Sequence, residues 1–166
     1  MVKLMGSILS QLGIFCAAVI LFASVAFASP VRQLPEGVPI ISFKQDLLML
    51  TTALGDFPID IELAEYSDQH QRGLMFVQSM GQDDGMLFIF DREQPRAFWM
   101  RNTPLSLDII YIDKDGFVVS WAPNTTPFSL QSLPSGEPAQ YVLELNAGSI
   151  EHFGIEVGDQ ITYPVN

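Results

Sequence analysis

A chain of 166 residues has room for one domain with a sizeable core and too little for two comfortable ones. Its formal charge of −11, from 19 carboxylates against eight Lys and Arg, argues against nucleic acid and against anionic lipid as partners, since both would be repelled. A single cysteine leaves no internal disulfide and no cysteine-based metal site.

The first segment reads as a targeting signal. Lys3 is followed by an almost unbroken apolar run from Leu12 to Phe27, and Ala26-Phe27-Ala28 supplies the small-x-small pattern that a signal peptidase accepts. The run falls short of the roughly 20 residues that span a bilayer, so a cleaved signal peptide over 1–28 is expected in preference to an N-terminal membrane anchor. Cys16 lies inside this run, preceded by Gly13-Ile14-Phe15, a poor match to the sequence ahead of a lipidated cysteine. The mature domain is therefore expected to be exported, to the periplasm or beyond, with no membrane insertion after cleavage. It would have no thiol, and would carry seven Lys and Arg against 19 carboxylates.

Pro30, Pro35 and Pro39 recur without helical periodicity, which predicts an extended linker over 29–45 before a single β-rich domain over 46–166. Leu47 to Ala53 and Pro58 to Ala64 read as a hairpin about Gly55-Asp56, with Ile59, Ile61 and Leu63 alternating against Asp60 and Glu62. Ser67 is expected to cap a short helix that ends at Gly73. Gly85 to Phe90 and Ala97 to Arg101 read as two short strands joined by the polar stretch Asp91 to Pro95. Leu107 to Ile112 and Phe117 to Trp121 follow, about the turn Asp113-Lys114-Asp115-Gly116. Residues 122–138 hold four prolines and many Ser and Thr, a long loop placed to close over a site. A strand at Gln140 to Leu145, a short helix around Ala147 to Phe153 and a strand at Gln160 to Tyr163 complete the chain. The fold class expected is mainly β, a small antiparallel β-sandwich or open barrel with two short helices.

Several segments share an order and spacing with one family. Arg72-Gly73-Leu74-Met75-Phe76 and Asp84-Gly85-Met86-Leu87-Phe88-Ile89-Phe90 come first. Phe98-Trp99-Met100-Arg101-Asn102-Thr103 and Leu107-Asp108-Ile109-Ile110-Tyr111-Ile112-Asp113 form the centre. Tyr141-Val142-Leu143-Glu144-Leu145-Asn146-Ala147-Gly148 and Gly158-Asp159 close it. Across residues 47–163 the chain resembles domain-of-unknown-function family 192. The resemblance implies a compact, mostly β fold, often exported, with no established activity and no catalytic residues to carry over. One departure is that the proline commonly found two residues before the aspartate is replaced here by Ser106, with Pro104 nearby.

Strand alternation proposes a polar face. With Phe98 and Met100, Leu107, Ile109 and Tyr111, and Tyr141, Leu143 and Leu145 taken as core, the opposite face collects Trp99, Arg101, Asp108, Glu144 and Asn146, bordered by Arg72 and Asn102. Such a surface offers an aromatic platform and converging polar groups to a sugar or another small polar ligand. The structural alternative is a buried ion-pair network, with Arg72 or Arg101 neutralising Asp108 or Glu144. Asp108 and Glu144 are also the one carboxylate pair suited to glycosidic hydrolysis, which needs a separation of roughly 5 to 9.5 Å. His70 and His152 have no marked nucleophile beside them, and the nucleophile-elbow motif is absent. Asp113 to Gly116 fails as a calcium loop, because Phe117, Val118 and Val119 follow. Met75, Met86 and Met100 sit among Phe and Leu and read as core filling in preference to a copper site. No cofactor and no metal are expected. The reading preferred from sequence is a non-enzymatic ligand-binding or accessory domain of the cell envelope, its partner a small polar ligand or an envelope protein. The alternatives are a carbohydrate-active hydrolase and a purely structural envelope partner.

Overall fold

The computed structural model describes residues 30–164, so the expected signal peptide and Cys16 lie outside the described residues. The elements run β1 (Val31–Arg32), β2 (Lys44–Thr52), β3 (Gly55–Ala64), α1 (Ser67–Arg72), β4 (Val77–Ser79), β5 (Asp84–Phe98), β6 (Leu107–Ile112), β7 (Val118–Ala122), β8 (Leu133–Asn146), α2 (Ser149–Phe153) and β9 (Gln160–Thr162). Among the described residues no helix is long and apolar enough to cross a membrane.

Seven strands form one sheet in the order β7-β6-β8-β5-β3-β2-β9, and β1 pairs with β4 in a separate ribbon. The large sheet curls into a half-barrel whose two edges touch at one end. There Phe117 bridges Gln160, Val118 N donates to Asp159 O at 2.8 Å, and Ile161 N donates to Gly116 O at 2.8 Å. Gly116 permits that approach, because a Cβ on it would stand 2.6 Å from the Ile161 carbonyl oxygen. The expectation of a mainly β open barrel thus holds, with one refinement. β3 and β5 pair in parallel, because the chain between them crosses back over the sheet through α1 and β4.

Both faces of the central strands are buried. One apolar cluster draws Leu48, Ile61, Leu87, Ile110, Leu143 and Ile161 from across the sheet, fills the inside of the half-barrel, and is plugged by Phe153 of α2. A second lies on the outer face of β5, β6 and β8, where Met86, Phe88, Ile109, Tyr111 and Val142 are covered by Leu74, Val77 and Met100. Each cluster removes a continuous apolar surface from water, which is the dominant favourable term for a domain with no cross-links among the described residues.

Local readings differ from the structure in instructive places. The hairpin β2–β3 turns at Ala53-Leu54, two residues before the expected Gly55-Asp56. Ser67 is the first residue of α1 and does not cap it. Instead Gln69 Oε1 turns back to accept from the amides of Glu65 and Tyr66 at 2.8 and 3.1 Å. The expected pair of short strands is one strand, β5, continuous through Asp91 to Pro95. Residues 133–138 belong to β8 and pair with β5, so the irregular loop shrinks to 123–132.

The segment expected as a linker is extended but anchored. Val31–Arg32 pairs with β4, and Gln33 N donates to Phe76 O at 2.8 Å. Arg32 stacks over Phe43 at 4.7 Å and closes a two-pronged ion pair with Glu62. Gln69 Nε2 donates to Ser42 O at 2.8 Å. Residues 33–43 therefore form a strap laid against the barrel.

Candidate functional site

The seven sequence-derived site residues do not converge on one surface. Register decides this. Asp108 pairs with Leu145, while Ile109 pairs with Glu144, and residues opposite one another across a ladder share a face. Asp108 therefore points into the half-barrel and Glu144 through the outer face. The apolar sets taken together as one core, Leu107-Ile109-Tyr111 and Tyr141-Leu143-Leu145, in fact belong to opposite faces. A single-core premise fails because both faces are buried, and with it falls the pairing of Asp108 and Glu144 as acid and base.

Asp108 is a structural hub. It is fully buried, its Oδ1 accepts from Asn124 N at 2.7 Å and its Oδ2 from Ile150 N at 2.9 Å. The carboxylate thereby ties the 123–132 loop to the first turn of α2, with no arginine involved. Asn146 is likewise occupied, donating through Nδ2 to Gly81 O at 2.7 Å. Ser106, where the family commonly has proline, donates to Thr125 O at 2.7 Å and pins the same loop.

Glu144 has a different environment. Across the outer face, Glu62, Met86, Glu144 and Ile109 stand in one row on β3, β5, β8 and β6. Arg32 neutralises Glu62, whereas Glu144 is 4 % exposed, lacks an ion pair among the described residues, and leaves Oε2 without a hydrogen-bond partner. Burial pushes its carboxyl up to about 8. The expected neutralisation of Asp108 or Glu144 by Arg72 or Arg101 is not made; the buried ion pair among the described residues joins Arg32 and Glu62 instead.

The other four residues do meet. Arg72, Trp99, Arg101 and Asn102 line a cleft of about 690 Å³. α1 supplies Arg72, and the turn after β5 supplies the rest. β5 ends at Phe98, so that Met100 turns inward and is buried while Trp99 stays 47 % exposed. The division expected from alternation holds here, with Phe98 and Met100 packed and Trp99 and Arg101 outward. Arg101 lies over the Trp99 ring at 5.4 Å and Arg72 over Phe76 at 5.7 Å. The 123–132 loop does not lid the cleft. It braces the turn from behind, through Met100 N to Ser129 O at 2.9 Å and Phe128 N to Thr103 O at 3.0 Å.

Sequence reading missed three contributors. His70 lines the cleft, with Nε2 3.0 Å from both Ala64 O and Ile89 O and its ring 4.4 Å from that of Phe90. Two carbonyls at one nitrogen assign the proton to Nε2. Phe76 lines it too, and the strap adds an apolar wall through Val38 and Ile41. The segment Arg72 to Phe76 carried the signal for Phe76, but the strap, read as linker, offered none. Phe76 and Asn102 both adopt positive φ, 65° and 54°, and are joined by Phe76 N to Asn102 O at 2.8 Å. A bulky residue in that region costs about 1–3 kcal/mol, and such strain clusters at ligand sites.

Met86 and Met100 are packing residues at 0 % and 1 % exposure, whereas Met75 reaches the cleft and takes a weak contact from Asn102 Nδ2 at 3.8 Å. Among the described residues no group of three or more His, Cys, Asp or Glu side chains is placed to hold a metal ion.

Two solved structures share this architecture. A protein of Sinorhizobium meliloti 1021, described as a candidate transcription regulator, is 38% identical with a TM-score of 0.72; the match covers 75% of this chain and 97% of that one. A protein of unknown function from Novosphingobium aromaticivorans DSM 12444 is 32% identical, also with a TM-score of 0.72, and the match covers 82% and 94% of the two chains. No curated protein matches the chain. Residues 50–163 match the family DUF192, described as "Uncharacterized ACR", and the chain belongs to that family.

Proposed function

We propose that the mature domain is an exported, non-enzymatic ligand-binding or accessory protein of the cell envelope, whose small polar ligand occupies the cleft beside Trp99. The observation that carries this reading is the convergence of Arg72, Trp99, Arg101 and Asn102, from two separate segments, on one concavity of about 690 Å³. That volume falls within the roughly 300–1,000 Å³ of small-molecule sites. Strained backbone at Phe76 and Asn102, held in place by the surrounding bonds, is the usual mark of a surface kept for recognition.

The hydrolase alternative has no comparable support, since its two carboxylates lie on opposite faces of the sheet. Nor does the regulator description of the Sinorhizobium relative transfer well: a mature domain with 19 carboxylates against seven Lys and Arg would be repelled by DNA.

Thermal-shift screening against sugars, metal ions and cell-wall fragments tests the proposal, because a binder of the native state must raise the melting temperature. A hit should be lost in Trp99→Ala. A hit that survives in that variant, or a complete absence of hits, would remove the cleft as the ligand site.

A further inference from the structure

The reading of the cleft as a ligand site can be carried further, to the class of ligand, from the charge state of its walls. The charged or titratable groups that line it are Asp68, His70, Arg72 and Arg101. In a chain so rich in carboxylates, cations are expected to be paired, and among the described residues Arg32, Lys44 and Lys114 are. Arg72, Arg92, Arg96 and Arg101 are in no such ion pair, and of these four it is Arg72 and Arg101 that line this cleft. Each lies over an aromatic ring, Phe76 or Trp99. Stacking occupies the face of a guanidinium and leaves its in-plane N–H groups to be satisfied, in a planar fork that matches a carboxylate or a phosphate.

The lining has a single acidic group, Asp68, whose Oδ1 accepts from Gln69 N at 2.9 Å, against the two arginines. Two guanidiniums against one carboxylate leave the charge of the lining in favour of an anion. The same lining includes the apolar side chains of Ile41, Phe90 and Phe98 as well as the Trp99 ring.

We infer that the cleft binds an amphipathic organic anion, its carboxylate or phosphate head held by Arg72 and Arg101 and its apolar body against Trp99 and Phe98. The inference rests on the cleft being a ligand site at all, and the experiment separates the two.

The chain has two tryptophans, so a Trp121→Phe background leaves Trp99 as the reporter. Protein purified from the producing cell is titrated with benzoate, phenyl phosphate, inorganic phosphate, benzamide and glucose, following tryptophan emission and melting temperature. Benzoate or phenyl phosphate should change the Trp99 signal saturably and raise the melting temperature. Benzamide, the neutral counterpart of benzoate, should bind at least about tenfold more weakly, as should benzoate to Arg72→Gln or Arg101→Gln. Arg101→Lys, which keeps the charge and loses the fork, should fall between, and melts of each variant confirm that it folds. Equal binding of benzoate and benzamide would overturn the assignment of the head group. Inorganic phosphate binding as tightly as phenyl phosphate would overturn the apolar body. Saturable glucose binding at Trp99 without benzoate binding would overturn the anion and leave the ligand site standing. Silence from every probe would overturn the anion too, with the broader screen deciding whether the cleft binds anything.

Discussion

Glu144 lies directly beneath Gly73: a Cβ built on that glycine would stand 3.1 Å from the Phe88 ring and 4.0 Å from Glu144 Oε2. Gly73 itself has φ 46°, so the residue that roofs the carboxylate is one that no side chain would suit. Beneath it the carboxyl sits among Met86, Ile109 and Phe88, with Oε2 unpartnered and its ionisation moved up to about 8 by desolvation.

A pH dependence of known sign follows. The folded state holds this proton more tightly than the unfolded chain, whose carboxyl titrates near the ordinary glutamate value of about 4.5. The stabilising contribution is full below that value and is lost as pH rises through about 8. Glu144→Gln removes the titration while keeping the shape. Urea melts should show wild type and variant similar near pH 4, with the variant gaining on the order of 4–5 kcal/mol relative to wild type above the folded pKa. Parallel curves at all pH values would show the carboxyl to be solvated.

Arg32 and Glu62 make the opposite prediction for a neighbouring carboxylate. Their side chains are 16% and 7% exposed and are bound through both oxygens, so Arg32→Ala should leave a buried charge without its partner. The expected cost is roughly 3–5 kcal/mol. Amide exchange should quicken at the β1–β4 ribbon, whereas β6 should be unaffected.

Asp108 binds backbone and no cation. Asp108→Ala leaves the part-buried amides of Asn124 and Ile150 without their acceptor, at a cost of roughly 2–4 kcal/mol by chemical melts. Binding at the cleft, which Asp108 does not line, should be weakened only as far as the 123–132 loop loosens its brace on Met100.

Trp99→Ala should cost no more than about 2–3 kcal/mol, since nearly half of the residue is already in water. Loss of binding should be its larger effect. A melt that loses clearly more than this, with binding unchanged, would mean that the indole is a packing group.

How much of this was legible in the sequence depends on where each residue faces. β6 was readable to the residue, because Leu107–Ile112 is apolar at every position but Asp108 and lies between a proline-containing loop and an Asp-Gly turn. That same continuity hid its faces, since a strand buried on both sides carries no alternation to read, and Asp108 and Glu144 were assigned to one side. β5 was misjudged for the converse reason. Its Asp91 to Pro95 stretch is polar and exposed, the composition of a connection, yet it pairs with β8 through two register shifts that place Pro95 opposite Pro138. Trp99, Arg101, Arg72 and Asn102 were found because short-range geometry governs them. The wall formed by Val38 and Ile41 depends on an ion pair 30 residues apart in the chain, which no local pattern encodes.

The strap separates two duties within the molecule. Val38 and Ile41 belong to neither apolar cluster and precede the stretch 50–163 that defines the family. The barrel's packing therefore places no demand on what these two side chains are. The shape of the cleft on that side can be redrawn by exchanging a few residues of a tethered segment, while the parts that fold the domain, and the arginines that would grip a head group, stay as they are.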